Sequence, residues 1–177
     1  SLFGHTIFAA RFTSAFFGTL IVIVTYLIVK LLTLKRYGEK LAFISSLVVA
    51  ISPWSIHFSR RVVEGNLGLF FFLLSLYLLI KSLKKINYFP YAAAAMGIAT
   101  HAYYSERVIG LIFFFIFLIY FRTYFLKYKK IVVYGLIVFG LILIPHLITI
   151  VNGAFFARFD QVRSAGTGKL IADFIGH

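Results

Sequence analysis

Phe12 to Leu34 reads "FTSAFFGTLIVIVTYLIVKLLTL", an apolar run with a single charge, Lys30, near its end. As a helix, at about 1.5 Å per residue, it is roughly 34 Å long, enough to cross a hydrocarbon core of roughly 30 Å. The rest of the chain repeats this character. Of its 177 residues, 62% are hydrophobic and 19% aromatic, only 13% are charged, and the mean hydropathy is +0.97. A soluble domain is about half apolar and a quarter charged. A single core of this size cannot bury such an excess, so lipid must solvate it.

Five further apolar segments follow: Leu41 to Trp54, Leu67 to Ile80, Tyr91 to Tyr104, Val108 to Phe121 and Ile131 to Val151. The expected fold class is therefore all-α, a polytopic transmembrane bundle of about six membrane helices over residues 1–151. The mixed, amphipathic tail, residues 152–177, reads as an external loop or interfacial helix leading onward. The connectors sort by charge. Lys30 and the segments Lys35 to Lys40, Lys81 to Lys85 and Arg122 to Lys130 are dominated by Lys, and they alternate with connectors whose cations are Arg11, Arg60, Arg61, Arg107, Arg158, Arg163 and Lys169. The positive-inside rule puts the Lys-rich ends in the cytoplasm. The Arg-rich side carries four of the five acids, Glu64, Glu106, Asp160 and Asp173.

A net charge of +13 does not signal nucleic acid, because the cations lie between apolar runs and not along one soluble face. With no cysteine there is no thiol nucleophile and no cysteine metal site. No nucleotide loop, HExxH site or GxSxG elbow occurs. No acid lies within an apolar run, which disfavours a proton-coupled pump. The chain opens with Ser1 and no leader pattern, so a fragment of a longer protein is expected.

The four inner segments are short, about 21 Å as helices. Continuing the second to Ser59 and the fourth to Arg107 restores about 25–28 Å, and both extensions carry polar residues into the outer membrane boundary. Polar groups at that depth are tolerated where they face a cavity or other protein. In "SPWSIHFSRRVVEGN", Ser52 to Asn66, a helical reading puts His57, Arg60 or Arg61 and Glu64 on one face, with Pro53 kinking the chain before them. Arg suits a phosphate because its planar fork stays charged when desolvated. The alternative is an interfacial Arg60–Glu64 pair with His57 at headgroup level. In "HAYYSERV", Tyr103 with Arg107 and His101 with Ser105 stand at i, i+4. Tyr103 and Tyr104 fit an aromatic belt as well as a site. His101 is open to three readings: metal ligand, phosphate donor or satisfied core histidine. Ala92 to Ala95 and Gly97 allow close helix packing.

These residues resemble a known family. "FAARFTSAFFGTLIVIVTYLI" (Phe8 to Ile28), "AFISSLVVAISPWSIHFSRRVVEGNLGLFFFLLSLYLLI" (Ala42 to Ile80) and "AAAAMGIATHAYYSERVIGLIFF" are similar to the bacterial branch of the protein O-mannosyltransferase-like enzymes, glycosyltransferase family 39, of the GT-C fold class. The likeness covers most of Phe8 to Arg163. It implies a multi-pass cell-membrane glycosyltransferase, with a hexosyl or pentosyl group moved from a polyprenyl-phosphate carrier to an external lipid, protein or glycan acceptor. Arg60, Arg61, Glu64, Asn66, His101, Tyr103 and Arg107 would hold the donor phosphate or sugar, with His57 and Tyr104 as further candidates. The catalytic acid of such families comes from the first external loop, which is expected to precede Ser1. No metal ligand is assigned, and a divalent metal is left open. The alternative from another class is a non-catalytic lipid-phosphate binder, flippase or transporter subunit with the same Arg clusters but no catalytic acid.

Overall fold

The computed structural model describes residues 7–33, 37–53, 55, 57, 65–102 and 104–151, the side chains of 7–11, 104–107, 146, 147 and 149–151 excepted. Among them there is no strand. The helices are α1 (Ile7–Leu32), α2 (Gly38–Ile51), α3 (Gly65–Ser82), α4 (Phe89–Ala102), α5 (Tyr104–Tyr120), α6 (Arg122–Lys127) and α7 (Lys129–Val151), with a 3-10 turn at Ile86–Tyr88. Each of the six apolar runs has its helix. Among the described residues two helices, Phe12–Leu32 (mean hydropathy 2.3) and Gly65–Ser82 (1.6), and not about six, are long and apolar enough to cross a membrane by themselves.

The second helix does not run on unbroken toward Ser59: it breaks at Ser52, and Pro53, Ser55 and His57 beyond it are helical. The residue before a proline is pushed out of the α region, and Ser52, ahead of Pro53, is extended (φ −60°, ψ 128°) and ends α2 at Ile51. The chain leaves α4 at Ala102, and Tyr104 to Arg107 form the first turn of α5.

The chain separates into Ser1–Ile142 and Leu143–His177. In the second unit the described residues continue α7 to Val151, with Pro145 inside the helix. In the first, α1 packs against α2 and α3, α3 most extensively against α4, and α4 against α5. Side-chain pairs give the directions. Phe17 meets Phe70 and Phe71, so α1 and α3 run parallel. Phe89 stacks on Phe114 while Met96 lies over Gly110, so α4 and α5 run antiparallel.

The interior joins large apolar side chains, Leu79, Phe89, Phe114 and Phe139, to a set of small and polar ones, and much of the surface is apolar. Ser14, Ser46, Asn66, Ser75, Ser82 and Thr100 are buried with Ala92, Ala93, Ala95, Met96 and Ala99. Phe43, Ile44, Val48 and Ile51 of α2 and Ile109, Ile112, Ile116 and Ile119 of α5 are exposed. Contiguous apolar faces on this scale mark a membrane or partner surface. Lipid is as apolar as Leu, so such helices associate through close packing and interhelix hydrogen bonds. Both devices are present. The Ser75 hydroxyl donates to the Ala92 carbonyl at 2.8 Å, joining α3 to α4. A Cβ on Gly97 would come within 2.8 Å of Ile142 Cγ2, and one on Gly135 within 2.7 Å of the Phe89 ring, so these two glycines set the approach of α4 and α7.

The stretch Arg122 to Lys130, expected as a connector, contains the packed helix α6. Phe125 is buried against Phe89 and Phe117. The Tyr124 hydroxyl donates to the Ser82 carbonyl at 3.0 Å, and burial, with Tyr128 beside it, raises the tyrosine's pKa above its usual value.

Candidate functional site at the Arg-rich end of the bundle

Alternating helix directions gather the start of α3, the end of α4 and the start of α5 at one end of the first unit, the Arg-rich end of the sequence. Two candidate side chains are described there. Asn66, in the first turn of α3, is buried, and its Nδ2 donates to both the carbonyl and the hydroxyl of Ser14, each at 3.1 Å. An amide in a helix interface has to be satisfied by its neighbours, and Ser14, with no bulk of its own, lets α1 come close enough to do so. The bond ties α1 to the segment that follows the Arg60–Arg61 pair. Ser14 was not singled out in the sequence. A serine inside the longest apolar run is the signal that could have found it.

His101, in the last turn of α4, is exposed. Its Nε2 lies 2.6 Å from the Ile142 carbonyl oxygen of α7. A carbonyl can only accept, so Nε2 carries the proton in this contact. The bond fixes the ring between two helices at the turn into α5. His57, beyond Ser52, is exposed. Among the described residues no group of three or more His, Asp or Glu side chains could hold a metal ion.

No guanidinium of the candidate site lies among the described side chains. Arg60, Arg61, Glu64 and Tyr103 lie outside the described residues. Tyr104 and Arg107 belong to α5, where Arg107 follows the turn from His101 by one helical turn, and their side chains lie outside the description. The structure thus brings Asn66, His101 and the backbone of Arg107 to a common end.

The opposite end is built differently. Lys30 Nζ and Glu39 Oε1 pair at 2.8 Å across the turn from α1 to α2, and this hydrogen bond and charge hold the Glu39 carboxyl below its usual range. Lys81 Nζ lies 4.5 Å from the Tyr88 ring centroid and 5.2 Å from that of Tyr77. Lysines folded back over tyrosine faces are the signature of side chains reaching for an interface. One end offers lysines on aromatic faces, and the other offers His101 and Asn66.

A family model described as dolichyl-phosphate-mannose-protein mannosyltransferase matches residues 1–149. The chain belongs to this mannosyltransferase family. Membership gives it a glycosyltransferase-like identity, and the strand-free helical architecture agrees with a membrane-associated member. The match takes in every element from α1 to nearly the end of α7, and with them Arg60, Arg61, Asn66, His101 and Arg107. Neither the curated proteins nor the solved structures contain a match to the chain.

Proposed function

We propose that this mannosyltransferase-family chain is part of a multi-pass enzyme that moves a sugar from a polyprenyl-phosphate carrier to an acceptor at the external face of the cell membrane. Family membership over residues 1–149 is the observation that carries this reading. Two others support it: the Lys/Arg division between alternating helix ends, and the apolar exterior that demands a bilayer. The six helices serve as membrane elements, the shorter ones completed at their outer ends by residues of the turns.

Sugar transfer leaves negative charge on the carrier phosphate as the glycosidic bond breaks. Preorganised cations at that point lower the barrier most, because they cost no reorganisation when the charge appears. Arg60, Arg61 and Arg107 take this role, with Tyr103 and Glu64 toward the sugar. His101, held on Ile142, and Asn66, held on Ser14, fix the segments that bear them. A carboxylate acting as general base takes the proton of the acceptor hydroxyl.

The test uses the protein in proteoliposomes with a labelled polyprenyl-phosphate mannose and an acceptor mixture from the host envelope. Arg107→Ala should lower transfer about a hundredfold, the scale of losing one preorganised donor, with unfolding temperature retained. Unchanged turnover would remove Arg107 from the mechanism. Carrier binding without turnover by the parent protein would favour the non-catalytic binder.

A further inference from the structure

At the Lys-rich end, the start of α4 and the start of α7 enclose a cleft of about 450 Å³. Its wall is formed by Asn87, Pro90, Tyr91, Ala94, Tyr134 and Val138, together with Ile131. It is remote in the fold from Asn66 and His101, which sit at the far ends of α3 and α4. It flanks the close approach of Gly135 to the Phe89 ring and to Pro90, which also lines it. Small-molecule clefts span roughly 300–1,000 Å³, so the volume suits a ligand and not a stray water.

Its chemistry is graded along its length. Asn87 lies on the 3-10 turn just after Lys84 and Lys85, and Lys129 and Lys130 occupy the first turn of α7 immediately before Ile131. All four lysines are exposed. The Lys-rich helix ends carry one acid, Glu39, which is already paired with Lys30 at the α1–α2 turn. From Ile131 to Val138 the α7 wall descends about 10 Å at the helical rise, and here the lining turns to Ala94, Pro90 and Val138. Tyr91 and Tyr134, 67% and 61% exposed, stand between the two zones. Amphipathic rings of this kind sit at headgroup level. Cations outside, tyrosines at the rim and aliphatic walls within match one occupant: a lipid whose head is anionic and whose tail enters the cleft.

We infer that this cleft is a site for an anionic phospholipid of the inner leaflet, its phosphate held by Lys129 and Lys130 and one acyl chain lying between α4 and α7. Basic pockets between membrane helices on the cytoplasmic side favour such headgroups. The inference rests on the membrane embedding and sidedness proposed above, not on sugar transfer, so loss of transfer activity leaves it intact. Bound there, the lipid would brace the contact that α4 makes with α7, the same contact that orients His101 at the other end.

Native mass spectrometry of the purified protein with phosphatidylglycerol, phosphatidylcholine or polyprenyl phosphate tests it. Phosphatidylglycerol should be retained preferentially. Lys129→Gln/Lys130→Gln should weaken that retention about thirtyfold, roughly fivefold per lysine. Ala94→Phe, which fills the cleft and leaves every charge in place, should also abolish it. A photoactivatable phosphatidylglycerol on the unmodified protein should label peptides containing Ala94 or Tyr134, which keeps the test decisive if the filled variant fails to fold. Equal retention of phosphatidylcholine, labelling elsewhere only, or tighter binding of polyprenyl phosphate at this cleft would each overturn the assignment.

Discussion

Asn66 shows how one polar side chain organises this bundle. Both of its amide hydrogens go to Ser14, across the α1–α3 interface and near the Arg-rich end. In a bilayer the chain cannot trade such bonds for water, although its unfolded state in the membrane finds other partners, so each is worth about 0.6 kcal/mol on average and up to about 1.7. Asn66→Leu, which keeps the volume but removes both bonds, should lower stability to denaturation in mixed micelles by about 0.6–1.7 kcal/mol. An unchanged midpoint would show that the pair is incidental. At this scale the sequence was only partly legible. It marked Asn66 and His101 as polar residues at helix ends, because polarity beside an apolar run stands out in one dimension. It did not show what they touch. Ser14 is 52 positions from Asn66, and Ile142 is 41 from His101, and no local pattern encodes such pairings.

At the level of elements, position was legible and extent was not. Hydropathy located all six helices, since an apolar run in a chain this greasy can hardly be anything else. Their ends follow from backbone rules that hydropathy ignores: Pro53 forces Ser52 out of the helix, and the turn after Ala102 hands Tyr104 to Arg107 to α5. Helix α6 was missed because its lysines read as a loop. The aromatics Tyr124, Phe125 and Tyr128, interleaved with those lysines, were the signal of an interfacial helix. Close packing of α4 on α7 gives a sharp expectation. A Cβ at Gly135 meets the fully buried Phe89 ring at 2.7 Å and the Pro90 backbone at 3.3 Å, whereas at Gly140 it meets nothing within 4 Å. Gly135→Ala should cost about 1–3 kcal/mol through forced repacking, while Gly140→Ala should stabilise the helix by about 0.5–1 kcal/mol. Paired thermal unfolding measurements check both. Equal behaviour of the two variants would contradict the described α4–α7 approach.

Over the whole molecule, composition pointed to an all-α, membrane-associated chain, and the strand-free described residues with their apolar exterior agree with it. Greasy faces on α2 and α5 and buried serines between α1, α3 and α4 follow from lipid as the solvent. The two ends of the first unit then diverge in chemistry: lysines over tyrosine faces and a cleft at one, Asn66 and His101 at the other. The chain belongs to the mannosyltransferase family, and the proposed function places a lipid-linked sugar at the Arg-rich end. The identity of that sugar is set by contacts with the sugar ring, and nothing in helix periodicity reports them. The most direct test of the account is photo-crosslinking with a polyprenyl phosphate carrying a diazirine next to its phosphate, followed by peptide mapping. Labelling within residues 52–66 and 101–107 is the predicted result. Labelling confined to residues 81–88 and 122–130, at the Lys-rich end, would contradict it.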